Sequence, residues 1–422
     1  QRPVTADDEA PALVRRMGGN GEAYDSLPRF WDHVGVLYGT GNTSELAPDP
    51  YMALTAVPPL SSGFRDLSPW RDRLPSFDPA LCTGCGACWS ACPEGAVGAV
   101  ALTPARLIDF GIRRARADAL RPLASKLAAG VARLCQDPQA AGPTAGDFIQ
   151  LAYQDLEARL PFPAERKAAI GEALQTLVAS IGCLPLAITA PLFADLETDA
   201  DGNGALLSLS LSPETCKGCG ICVQACDPGA LRDTRQGSRS LARAREVRGV
   251  WQDLPETDTA IVQAVHDRAQ VGPLAVSLLR PGAASAMAGG DGVEPGSGAR
   301  LALRLALAVL EARQAPLLAA FAEEVGETRG RIRALIRDIL ADALPADDLD
   351  ALAGRLEAVD SRQADLGAVL GEGGGAIESA VDATRLRRLV RLARDLGDLA
   401  WRLETGSHGL GRARLGLVLS PD

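Results

Sequence analysis

The chain has 422 residues, 47% of them apolar and only 4% aromatic, with 44 Gly and 28 Pro, so it has the length for two or three cores built from aliphatic side chains in helices joined by many turns. Lys and Arg number 43 against 53 Asp and Glu, and the resulting net charge of −10 repels phosphate backbones and anionic bilayers, which argues against nucleic acid and membranes as partners.

Residues 1–73 read as an irregular connecting segment. No charged-then-apolar signal sequence opens the chain, which starts at Gln1, runs into the acidic residues Asp7, Asp8 and Glu9, and reads as a cut or processed piece. Residues 74–103 contain the run Cys82-Thr-Gly84-Cys85-Gly86-Ala-Cys88-Trp-Ser-Ala-Cys92-Pro93, in which the cysteines are spaced C-x2-C-x2-C-x3-C. Residues 104–204 read as a helical insertion, with apolar residues at helical intervals over Pro104–Ala129, Phe148–Leu160 and Ala164–Ser180. Within it, Thr176–Ala194 is uncharged for the length of a membrane span, but Pro185 and Pro191 interrupt it, and a buried helix end followed by extended core segments is the better account. Cys135 and Cys183 stand alone in apolar surroundings and read as small buried hydrophobes. The turn Asp199-Ala-Asp201-Gly-Asn203-Gly204 imitates the start of a calcium loop, but Ser210 occupies the position of the bidentate Glu, so a Gly-rich turn is expected.

Residues 205–234 mirror the first cysteine segment. Alternating apolar and Ser residues over Ala205–Leu211 predict a strand leading into Cys216-Lys-Gly218-Cys219-Gly220-Ile-Cys222-Val-Gln-Ala-Cys226-Asp227-Pro228, at the same spacing as before. Three thiolates so spaced can curl a loop around one face of a [4Fe–4S] cubane, and the fourth cysteine of each run, in the bacterial two-cluster pattern, ligates the other cluster. That assigns cluster I to Cys82, Cys85, Cys88 and Cys226, and cluster II to Cys216, Cys219, Cys222 and Cys92. Gly84, Gly86, Gly218 and Gly220 let the loops turn tightly and bring backbone N–H groups to the sulfurs. Asp227 departs from the pattern by placing a carboxylate beside Cys226, which disfavours adding an electron there. Zinc is the competing metal because C-x2-C pairs also build tetrahedral sites, but two complete four-cysteine runs favour iron and sulfide. Thiolate clusters need a reducing compartment, so a cytoplasmic location and sensitivity to oxygen are expected.

Residues 235–300 read as a linker with a Gly-rich loop, Ala288–Gly298. Its basic stretch, Arg235–Arg248, is either a solvated face or a docking site for an acidic redox protein. Residues 301–422 read as a helical bundle. One face carries Ile332, Leu335, Ile336, Ile339 and Leu340, the next helix Leu349, Leu352, Leu356 and Val359, and the last Leu386, Leu389, Ala393, Leu396, Ala400 and Leu403. The predicted class is α+β, predominantly helical: a bacterial 2×[4Fe–4S] ferredoxin-like module interrupted by a helical insertion and followed by a C-terminal bundle. His33, His266 and His408 lie in no catalytic motif, and no phosphate loop or dinucleotide fingerprint is present.

With its cysteine runs, the lead-in Leu74-Pro-Ser-Phe-Asp78-Pro-Ala-Leu-Cys82, the strand before Ser212-Pro-Glu-Thr-Cys216 and the Arg29-Phe30-Trp31 segment, the chain resembles the dicluster ferredoxin-type region of pyruvate:ferredoxin and related 2-oxoacid:acceptor oxidoreductases. The resemblance implies electron transfer within such an enzyme, a ferredoxin or flavodoxin acceptor, and 2-oxoacid oxidoreductase domains or subunits as partners. Thiamine diphosphate belongs only in a flanking domain or partner: Gly290-Asp291-Gly292 begins its metal-diphosphate motif, but no Asn follows Asn203 to close it. The chain departs from the family in the 123 residues between Cys92 and Cys216, a longer spacing than usual, and in its C-terminal helices. A free-standing redox adaptor whose helical half docks partners is the alternative.

Overall fold

In the structure, a computed structural model, residues 10–11, 14, 26–54, 57–58, 60–136, 142–159, 163–266, 268, 270–285, 294–343 and 383–406 are described. The acidic start, most of the Ala288–Gly298 loop, the helix expected over Leu349–Val359 and His408 lie outside them. Among the described residues helices dominate, with four short strands in two antiparallel ribbons: β1, Arg73–Phe77, pairs with β4, Leu231–Arg235, while β2, Val97–Leu102, pairs with β3, Leu206–Leu211. The protein is thus α+β and predominantly helical.

The β2–β3 pairing explains how the long insertion is accommodated. Leu102 lies opposite Leu206, so the chain leaves the ribbon after β2 and re-enters β3 beside its point of departure. Thr103 caps the first helix, Pro104–Ala115, its hydroxyl accepting from the Arg106 N–H, and Pro104 supplies a first-turn residue with no N–H to satisfy. A 3-10 turn over Asp118–Leu123, containing Pro122, divides what the periodicity presented as one helix, and Ala124–Gln136 follows. With Ala145–Arg159 and Ala164–Ile181 these helices bury Leu107, Ile108, Leu127, Ile149, Leu177 and Ile181. Cys135 and Cys183 are buried in the same core. The uncharged Thr176–Ala194 stretch ends its helix at Ile181 and becomes extended, and Ala187 exchanges backbone hydrogen bonds of 2.8 and 3.0 Å with Leu207, covering the outer edge of β3. The Gly-rich turn is organised by Glu197, whose carboxylate accepts from the Gly202 and Gly204 N–H groups.

An alternation of apolar and Ser residues ordinarily gives a strand one wet face, but β3 has none, because Ser208 and Ser210 are 2% and 1% exposed. The covering element is the helix Ser238–Trp251, in the region the composition presented as linker. Its Trp251 indole is fully buried, donates from Nε1 to the Ser208 carbonyl at 3.1 Å, and lies where a side chain on Gly98 would stand, a Cβ there falling 2.4 Å from Cη2. Arg248 stacks 4.8 Å from the same ring, and Arg245 pairs with Asp66 and Glu214, so much of the basic run is spent holding the fold together. Further short helices, Thr259–His266, Pro273–Ser277 and Pro281–Ser285, continue this cap, and the Thr257 hydroxyl accepts from the Ala101 N–H at the other edge of the ribbon.

Contacts divide the chain into two compact units, one covering Thr55–Ala312 and the other Val14–Leu54 with Arg313–Asp422. In the second, short helices replace the irregular segment expected at the N-terminus, held by the Arg29–Asp49 ion pair and an edge-to-face contact of Phe30 with Tyr51. Its apolar seam joins Ile332, Ile336 and Leu340 to Leu386, Val390 and Ala393 of the helix Ala383–Glu404. Leu335 falls off that seam and is 44% exposed, because the buried row follows i, i+4, i+8 rather than the wider stripe. Arg385, Arg387, Arg388, Arg391 and Arg394 lie on the exposed face of Ala383–Glu404. Among the described residues, Gly298–Leu340 of the helix Gly298–Ala343 is long and apolar enough to cross a membrane, with an 18-residue window of mean hydropathy 1.4 that is 6% buried; the segment weighed for this from the sequence was Thr176–Ala194.

Replacing Trp251 by Ala removes a fully buried indole that is the lid of one ribbon face, and is expected to cost about 3–5 kcal/mol. The urea midpoint of the purified chain measures it, with Trp251→Phe giving the smaller loss.

Candidate metal centres

The ribbons bring the two cysteine runs together. Phe77 stands five residues before Cys82 and pairs with Leu231, five after Cys226; Leu211 stands five before Cys216 and pairs with Val97, five after Cys92. Each ladder is extended by one bond toward the loops, from Asp78 N–H to the Ala230 carbonyl and from Ser212 N–H to the Ala96 carbonyl, both 2.8 Å. The last cysteine of each run is therefore delivered beside the first cysteine of the other.

Within each loop the backbone takes the same path. Gly84, Gly86, Gly218 and Gly220 have φ of 75°, 80°, 68° and 76°, and the second glycine of each pair precedes a one-turn helix, Ala87–Ser90 or Ile221–Gln224, that carries the third cysteine. Cys82, Cys85, Cys88 and Cys226 line one cavity, with Phe77, Trp89 and Leu209 among the apolar walls. Cys216, Cys219, Cys222 and Cys92 line the other, with Glu94 and Lys217. The grouping of the thiols is the crossed one. Among the described residues no three Cys, His, Asp or Glu side chains stand close enough for a single metal ion. The quartets instead line two separate cavities, four thiols to each, an arrangement that suits two polynuclear clusters better than a single tetrahedral ion.

The donor set fits such a cluster electrostatically as well. Burial raises the thiol of Cys82 to about 11 and that of Cys222 to about 12, and pushes Cys88 well above its usual value. Buried thiols of this kind ionise only when a cation replaces their protons, so assembly of a centre here expels protons and gains from the metal charge. Backbone donors stand ready for the sulfurs: Gly218 N–H reaches Cys216 Sγ at 3.4 Å and Leu231 N–H reaches Cys226 Sγ at 3.3 Å.

The surroundings of the two quartets differ. At the first, a Cβ on Gly84 would meet Thr189 Oγ1 at 2.6 Å and one on Gly86 would meet the Ala275 Cβ at 2.3 Å. Trp89 is locked there by its Nε1 donating to the Ala275 carbonyl at 2.9 Å. Cys85 is exposed, placing one edge of this quartet at the surface. At the second, Arg71 donates to the Cys216 carbonyl at 2.6 Å, and buried Glu94 pairs with Lys217 at 3.1 Å and Arg300 at 3.2 Å. Arg304, 3% exposed, donates to the carbonyls of Cys92 at 3.0 Å and Trp89 at 3.1 Å. No motif in the sequence marks these charged residues; the nearest to one is the lone cation of Arg304 inside the apolar string Leu301-Ala-Leu-Arg304-Leu-Ala-Leu307.

A family model described as a 4Fe–4S binding domain matches residues 75–97 and 209–232, two segments that hold all eight cysteines. No curated protein and no solved structure matches the chain. The protein thus carries a dicluster, ferredoxin-type region.

The two loops predict unequal tolerance at equivalent glycines. Gly86→Ala, which adds a collision with Ala275 to its left-handed strain, is expected to lower both the thermal midpoint and the iron bound per chain. Gly220→Ala meets nothing within 4 Å and is expected to show only the strain, about 1 kcal/mol.

Proposed function

We propose that this chain is a one-electron relay holding two [4Fe–4S] clusters, cluster I on Cys82, Cys85, Cys88 and Cys226 and cluster II on Cys216, Cys219, Cys222 and Cys92. The observation that carries it is the crossed grouping of the eight thiols around two neighbouring cavities. When bound, the clusters supply the redox chemistry. The chain supplies thiolate ligands, N–H donors to the sulfurs and a largely dry setting, and exposed Cys85 gives a partner an edge at which to exchange electrons with cluster I.

The relay belongs, in this reading, to a cytoplasmic 2-oxoacid:acceptor oxidoreductase. A thiamine diphosphate domain or subunit acting on the oxoacid delivers electrons to the clusters, and a ferredoxin or flavodoxin takes them away. The support is the resemblance of Leu74–Cys82 and Leu206–Cys216 to that family. The separate helical unit, with its seam between Ile332–Leu340 and Leu386–Ala393, favours the adaptor as second reading. A gene product with no thiamine diphosphate domain, and no partner subunit that supplies one, decides for the adaptor.

Anaerobic purification or reconstitution, followed by metal and sulfide analysis, is expected to give about eight iron and eight sulfide per chain. Low-temperature spin resonance after dithionite is expected to show coupling between two nearby reduced centres. Zinc without sulfide overturns the relay.

A further inference from the structure

The two quartets sit in electrostatically different ground. Among the described residues no charged side chain lines the first cavity, and Asp227 beside Cys226 is exposed. Around the second, the anions are already engaged: Asp233 by Arg73, and Glu94 by Lys217 and Arg300 together. Arg304 comes in addition. Among the described residues no carboxylate pairs with it, its Nε has no hydrogen-bond partner, and its Nη1 is held on the Cys92 and Trp89 carbonyls, which places the guanidinium beside the Cys92 end of the site. It reaches this position because the first turns of Gly298–Ala343 are laid against the end of the first cysteine loop, where Arg300 also donates to the Pro93 carbonyl at 3.2 Å.

Each electron added to an iron–sulfur centre makes it more negative by one charge, and a buried cation at short range favours that form. We propose that Arg304 is a potential-setting residue for cluster II, acting through the Cys92 side of the site, and that it makes cluster II the more easily reduced of the two. This rests on the two-cluster reading above. The step is the transfer of one electron from a low-potential one-electron donor to the chain, with no bond made or broken, and at half reduction the electron resides on the Cys92, Cys216, Cys219 and Cys222 centre. Glu94 is the opposing element: its buried carboxylate raises the cost of the same electron, and its two cations hold that cost down.

The test is a spin-resonance-monitored redox titration of the full chain, anaerobic and reconstituted, with dithionite as reductant. Cys219→Ser, which perturbs cluster II alone, identifies its signal. Arg304→Gln keeps a donor for the Cys92 carbonyl but removes the charge. It is expected to lower the cluster II potential by about 59 mV or more, tenfold in a one-electron equilibrium, and to leave cluster I unmoved. Arg304→Lys is expected to retain most of the wild-type value. Glu94→Gln is expected to shift the same signal in the opposite direction. Equal shifts in both clusters, shifts of one sign for both variants, or no shift overturn the proposal. If Arg304→Gln fails to hold iron, Glu94→Gln decides alone, and absence of an upward shift overturns it. Wild-type chain without iron and sulfide refutes instead the reading on which it rests.

Discussion

Two loops that each give three ligands to one centre and the fourth to the other must lie side by side, and the rest of the Thr55–Ala312 unit follows from meeting that requirement. Local structure alone does not meet it, because C-x2-C-x2-C curls around one centre and leaves the fourth cysteine pointing away. The pairings of β1 with β4 and β2 with β3 do meet it, each joining the approach to one loop with the exit from the other at equal offsets. A one-residue slip in either ribbon would invert its faces and withdraw a cysteine from the opposite cavity. The register is therefore as much a part of the site as the thiols.

Closing the site is costly in charge. Several of the thiols are desolvated enough to resist ionisation, so a centre that binds them must displace their protons. Cys88, Cys92, Cys216 and Cys222 are in fact counted among the buried apolar residues that pack with Trp89, Leu207 and Leu209.

The site was legible in the sequence to the extent that its chemistry is local. Cysteine spacing marked the eight thiols that the structure gathers around two cavities, the paired glycines marked the left-handed turns, and the missing Glu at Ser210 separated the Asp199–Gly204 turn from a calcium loop. What the sequence concealed was long-range. Residues 235–300 read as linker with a Gly-rich loop because the helices after Thr259 are short and charges are scattered along Ser238–Trp251; Trp251 and Arg248 gain their meaning only from Gly98 and Ser208, far away in the chain. Leu335 read as part of a seam because apolar residues at i+3 and i+4 both fit a helical stripe, and only the partner helix selects between them. Glu94 and Arg304 read as ordinary charges, since burial is not a property of a residue type.

Near-identical loops are held by different forces as a result of what the rest of the chain brings to them. The insertion delivers Thr189 to Gly84, and the cap delivers Ala275 to Gly86 and to the Trp89 indole, so the front of the first loop is gripped by steric contact, while Arg304 holds the Trp89 and Cys92 carbonyls at its end. The second loop has little against its glycines, Gly220 meeting nothing within 4 Å, and is held by ions: Arg71 on the Cys216 carbonyl, and Lys217 on Glu94 at the exit of the first run. Steric contact fixes position without altering the field, whereas a buried cation fixes position and alters the field together. An internally repeated module is in this way made unequal by its additions. The insertion, the cap and the first turns of Gly298–Ala343 are therefore part of the redox site, and removing them would return the two loops toward equivalence.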